Sequence, residues 1–110
     1  MTVYRSHPPQ GPPWVPTTNR DQLCDFCGAD RPGFAHPLDP AHVKFRLYGD
    51  GYTLPGFWAS CVRCEALVAE QDDAALSALM AHQEEDGETR LAALAAFRAA
   101  DLGSQTLQDG

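Results

Sequence analysis

Four cysteines stand in two Cys-x-x-Cys pairs, Cys24-Asp25-Phe26-Cys27 and Cys61-Val62-Arg63-Cys64. A Cys-x-x-Cys turn aims two sulfurs at one point and so supplies half of a tetrahedral shell. Two such turns supply all of it, in the geometry where Zn2+ favours thiolates. Gly28 follows the first pair, where a chelating turn often needs a positive φ that glycine adopts without a Cβ clash. Phe26, inside the turn, is placed to cap the site against water. Other chemistry suits the same sulfurs. Two disulfides fit a small secreted domain, but no secretory signal precedes the pairs, and cytosolic thiols stay reduced. A thioredoxin-like redox pair wants one Cys-x-x-Cys near a βαβ pattern, which is missing. An iron–sulfur cluster also takes four cysteines, and spacing alone leaves it open. The expectation adopted is one structural Zn2+ on Cys24, Cys27, Cys61 and Cys64. A complete shell leaves no position for water or substrate, so the ion holds the fold and does no chemistry. The thiolates outnumber the charge of the ion, which calls for N–H groups or cations around them. Arg63 is a candidate for that role, with an ordinary solvated arginine as the alternative.

The pairs are further apart than in the usual four-cysteine spacing, so a hairpin or loop must be inserted between them. Residues 43–48 alternate, with Val43, Phe45 and Leu47 on one face and Lys44, Arg46 and Tyr48 on the other. Gly49-Asp50-Gly51 reverses the chain, Tyr52-Thr53-Leu54 returns as the partner strand, and residues 57–60 lead to the second pair as a short third strand. Residues 31–42, broken by three prolines, read as irregular, with Phe34 and Leu38 packed inward and Leu23 anchoring the first turn in the core. After Cys61 the period becomes helical, with Ser60 as N-cap. The second pair thus opens a helix whose dipole favours thiolates. A second helix is predicted from Ala74 to about Gln83, capped by Asp72 or Asp73, with Leu76, Leu79 and Met80 on one face. A third runs from about Glu88 to Leu102. Its large apolar groups are Leu91, Leu94, Phe97 and Leu102; the helix either folds back on the module or exposes Leu91, Leu94 and Phe97 to a partner or a second copy, and folding back is the ordinary outcome.

The fold class expected is therefore α+β: a small four-cysteine module of knuckle, β-hairpin and helix over residues 21–71, then a helical extension over 72–103. Residues 1–20 form a Pro-rich tail and 104–110 a frayed end. Five prolines around Trp14 favour polyproline II in the tail, which either stays mobile or lays Trp14 and Val15 over an apolar patch. The 110 residues suggest one domain. No apolar run is long enough for a membrane span, and the cytoplasm is the default compartment.

Charge narrows the partners. The chain carries a formal charge of −7, all of it in residues 61–110, where three arginines face ten acidic residues. A protein that neutralises phosphates needs a basic face. The one thin candidate is Lys44, Arg46 and Tyr48 with Tyr52, helped by Arg63, a mixture of cations and aromatics that suits single-stranded nucleic acid. An ordinary wet strand face is the favoured account of it. Enzymatic chemistry has less behind it: His36, Asp39 and His42 lie close in sequence, and Glu84, Glu85, Asp86 and Glu88 cluster later, where a solvated turn is the usual meaning. Neither His36 nor His42 is needed as a ligand when four cysteines suffice, and His82 reads as a surface histidine.

The order of knuckle, hairpin and helix-opening Cys-x-x-Cys resembles the treble-clef class of zinc modules over residues 22–71. The resemblance implies Cys24 and Cys27 as knuckle ligands and Cys61 and Cys64 as helix-start ligands. A zinc ribbon places both pairs on hairpin knuckles, and the helical period after Cys64 counts against it. The wording Cys-Asp-Phe-Cys-Gly with Trp-Ala-Ser-Cys-Val-Arg-Cys-Glu-Ala-Leu-Val is also similar to small, uncharacterised bacterial four-cysteine proteins, a likeness that implies no activity. Nuclease members of the treble-clef class carry a His-Asn-His arrangement that is missing here, so that activity is not implied. The function expected is a zinc-stabilised binding module with a protein partner or self-association. A nucleic-acid-binding finger is the alternative, and an enzyme comes third.

Overall fold

The computed structural model describes residues 2–3, 15–83 and 86–110. The fold is α+β, with two small sheets, three α-helices and a cluster of four cysteines among the described residues. The first sheet holds β1 (Thr2–Val3), β3 (Lys44–Leu47) and β4 (Asp50–Thr53) in the order β1-β4-β3. Strands β3 and β4 form the expected hairpin, turning through Tyr48 and Gly49 at φ 53° and 83°. Its register pairs Phe45 with Tyr52 and Lys44 with Thr53. Tyr52 therefore shares the face of Phe45, and the two rings stack at 5.1 Å. The aromatic and basic residues expected on one face are thus divided between two.

The second sheet was less expected. It has the order β5-β2-β6, made of β2 (Phe34–Pro37), β5 (Phe57–Ser60) and β6 (Gln105–Thr106). Strand β2 lies in the stretch read as irregular. Pro37 is its last residue, where the missing N–H does little harm, and its carbonyl still accepts from the Leu102 N–H at 3.0 Å. The third short strand is present as β5, but its partner is β2, not the hairpin. Strand β6 falls in the segment read as frayed. Leu107 is buried, and Asn19 accepts from the Gly110 N–H and donates to Asp109, so the chain end is tied down.

Both faces of this sheet are covered. His36 and Trp58, cross-strand partners, face the main core with Phe26, Leu38, Leu76, Met80, Leu94 and Phe97. Ala35, Ala59 and Phe57 face a smaller cluster with Leu107, against which Val15 packs. Val15 thus covers an apolar patch as expected; Trp14 and the prolines before it lie outside the described residues.

Helix α1 (Val62–Ala69) is capped by Cys61, not by Ser60, whose hydroxyl donates to Glu65. Helix α2 (Asp73–Leu79) is capped by the Asp72 side chain and ends in a 3-10 turn, Met80–Gln83, where a longer α-helix was expected. Helix α3 (Gly87–Ala100) is capped by Asp86. It folds back on the module: Leu94 and Phe97 are fully buried, so the partner face expected from Leu91, Leu94 and Phe97 is reduced to Leu91, 47% exposed. Arg98 fastens α3 to the other two helices through Asp73 and the Val68 carbonyl. No helix among the described residues is long and apolar enough to cross a membrane.

Candidate metal centre

Cys24 to Cys27 form a tight turn at the mouth of a short ladder. The Leu23 and Asp30 backbones bridge, the Cys24 N–H donates to the Ala29 carbonyl at 2.8 Å, and the Gly28 N–H donates to the Cys24 carbonyl at 2.9 Å. Gly28 takes φ +83°, as its place after the pair requires. An added Cβ would sit 3.5 Å from the His82 ring, an ordinary contact. Gly28→Ala should therefore cost about 1–2 kcal/mol from backbone strain alone. Metal content should stay full while the urea midpoint falls.

Three things fix the turn in the fold. Asp25 is buried, and its carboxylate accepts from the Ala59 N–H at 2.6 Å while its own N–H donates to the Ala59 carbonyl. Phe26, placed from sequence to cap the site, shares the buried cluster of Cys24 and Cys64. It enters the core, edge-on to Trp58 and Phe97 at 5.1 and 5.5 Å. The 3-10 turn reaches back: Gln83 donates to the Asp25 carbonyl at 2.9 Å, and His82 Nε2 donates to the Phe26 carbonyl at 3.1 Å. The helical extension is thus part of the site's support, which no signal in the sequence showed. Leu23, expected as the core anchor, is 53% exposed, and Phe26 has that role.

The second pair comes from the end of β5 and the start of α1, with Cys61 at the N-cap and Cys64 in the first turn. All four sulfurs lie within 4.8 Å of one another, and those of Cys27 and Cys61 are 3.6 Å apart. A tetrahedron of sulfurs at about 2.3 Å from a central ion has edges of about 3.8 Å. The quartet therefore needs little closing to hold a metal ion, and it is compatible with zinc. None of the four is in a disulfide.

Electrostatics favour a cation there. Burial pushes the Cys24 thiol up to about 11, against backbone hydrogen bonds that pull it down. Burial, with the charges of neighbouring sulfurs, pushes Cys64 up strongly. At Cys27 the same upward push of burial is outweighed by the Ala29 N–H, the neighbouring sulfurs and Arg63, which bring it to about 7. Four thiolates so close together need a counter-charge, and a bound metal ion supplies it while releasing protons. The Arg63 guanidinium and the Cys27 thiolate each favour the other's charged form, the role weighed for Arg63 from sequence.

The remaining candidates lie apart from this centre. Lys44, Phe45, Arg46, Gly51 and Tyr52 line an open depression of about 410 Å3 on the hairpin. Tyr48 sits at the hairpin turn and donates its hydroxyl to Glu88. Arg63 is beside the cysteines, not part of that surface. Of the weak ligand or acid–base candidates, His42 and Asp39 are brought together, while His36 is held by other carboxylates. His42 pairs with Asp39 at 3.1 Å on the surface. His36, 3% exposed, bridges Glu65 at 2.6 Å and Asp101 at 2.8 Å. Sequence spacing could not show this bridge, since its carboxylates lie far along the chain. Within the acidic run, Asp86 caps α3, while Glu84 and Glu85 lie outside the described residues.

The chain matches no family model, no curated protein and no solved structure. A functional reading therefore stands on the site itself.

Proposed function

We propose that this chain is a binding module held by one structural Zn2+, and that it works by docking another protein. The observation that carries the metal reading is the all-cysteine quartet with its sulfurs within 4.8 Å. Four thiolates suit zinc and fill its tetrahedral shell, which is the pattern of a structural site. Knuckle, hairpin and helix-opening pair follow one another in treble-clef order, which supports that class over a zinc ribbon. Protein docking, or self-association, is favoured by the net charge of −7, which opposes phosphate backbones. It is further favoured by the exposure of Tyr48, bonded to Glu88, and of Leu91, three residues after Glu88 on α3. The reduced thiols suit a reducing compartment such as the cytoplasm.

Elemental analysis of the purified protein should find one zinc per chain; iron, or a folded protein without metal, overturns the metal reading. Capture from the native lysate should return a stoichiometric partner that a Tyr48→Ser, Leu91→Ser double variant fails to retain. One observation favours a second reading: the Phe45–Tyr52 stack lines one open depression together with Lys44 and Arg46 of the other face, and stacking rings near cations suit single-stranded nucleic acid. Oligonucleotide binding at low salt that falls steeply with added salt would move the function there.

A further inference from the structure

We propose that Cys27 and Cys61 are a site of oxidative modification by hydroperoxides, which join them in a disulfide between the two Cys-x-x-Cys turns. This rests on the zinc reading above. Cys24 and Cys64 are buried, at 2% and 0% exposure, while Cys27 and Cys61 are half-buried. The two less buried cysteines thus come one from each pair. They stand 3.6 Å apart, and a disulfide needs them at about 2.05 Å. A disulfide within either pair would instead use Cys24 or Cys64, which pack in the main core cluster and are the less open to an oxidant in solution.

The chemistry balances with hydrogen peroxide as oxidant. The Cys27 sulfur attacks one peroxide oxygen; an S–O bond forms, the O–O bond breaks, and hydroxide leaves. The Cys61 sulfur then attacks the Cys27 sulfur; the S–S bond forms, the S–O bond breaks, and a second hydroxide leaves. The two sulfurs have lost two electrons, the peroxide has gained them, and each hydroxide takes a proton to become water. Only Cys24 and Cys64 then remain as thiolates, too few to retain a zinc ion.

The test uses the unmodified chain. Metal content is measured first, and limited peroxide is added with a chromogenic chelator present. Free thiols are blocked at intervals, and disulfides are mapped by mass spectrometry. The expected first product is Cys27–Cys61, with one zinc released for each disulfide formed. A first disulfide within either pair, first oxidation at Cys24 or Cys64, or no disulfide while a reduced glutathione control is consumed overturns the proposal. Absence of zinc at the start defeats the zinc reading separately, and the disulfide map still decides the site.

Discussion

Chelation of the metal at neutral pH is expected to unfold the protein, and Cys64→Ser should produce the same unfolded chain. Structural zinc contributes an apparent 10–16 kcal/mol, roughly, in small four-ligand modules. The whole stability of a domain this size is only about 5–15 kcal/mol. The centre lies where the elements meet: the first turn is bonded to β5 through Asp25 and to the 3-10 turn through Gln83, and the second opens α1. Without the ion, buried Cys24 and Cys64 remain as core thiols, but nothing draws the two turns together. Serine at position 64 would also place a hydroxyl in a fully buried position, at an added cost of about 1–3 kcal/mol unless it is bonded. Far-ultraviolet circular dichroism with metal analysis checks both. A chelated protein that keeps a cooperative transition at the untreated midpoint contradicts the expectation. Acid should release the metal too, because protons compete for the thiolates.

How much of this was legible depended on whether the information was local. The quartet, the hairpin and the three helices follow from spacing and period, since Cys-x-x-Cys, Gly-Asp-Gly and the Leu76/Met80 face are short-range patterns. Strand β2 was hidden because both its faces are covered. Ala35 faces the small cluster and His36 the main core, so no polar–apolar alternation marks it, and the prolines in and beside it read as breaks. Strand β6 has two exposed residues and exists through its pairing with β2, a contact across most of the chain. Tyr52 was placed on the wrong face because the strand starts at Asp50, not at Tyr52. The turn therefore takes fewer residues, and the register puts Tyr52 opposite Phe45. The support given to the first turn by Gln83 and His82 spans more than fifty residues and left no local trace.

Raising the pH from 6.5 to 9 should destabilise the protein while its metal stays bound, and His36→Leu should abolish that dependence. Burial alone would push His36 down, but the hydrogen bonds to Asp101 and Glu65 outweigh it and hold the imidazolium up to about 9, against an ordinary 6.5. Stability from this group is therefore complete below about 6.5 and is lost as pH rises through about 9. Its size is at most about 3 kcal/mol from the difference in pKa. Water at the two part-exposed carboxylates cuts it to roughly 2 kcal/mol. Glu65 and Asp101 act in the opposite sense. Burial raises them, the bonds to His36 lower them further, and their contribution is lost only as pH falls through the carboxylate range. The metal does not explain a loss on the alkaline side, because thiolate ligands bind it more tightly as protons leave. His36→Leu removes the ring that joins Glu65 at the start of α1 to Asp101 at the end of α3. Breaking a buried ion pair costs about 3–5 kcal/mol. Here Glu65 keeps Ser60 and Asp101 keeps the Gly103 N–H, which favours the lower end. The expected fall in Tm is roughly 10–20 °C. Urea titrations at several pH values, with zinc measured in each sample, test both parts. A wild-type midpoint flat from pH 6.5 to 9, or a variant with the same slope as wild type, would show that His36 carries no charge in the folded protein.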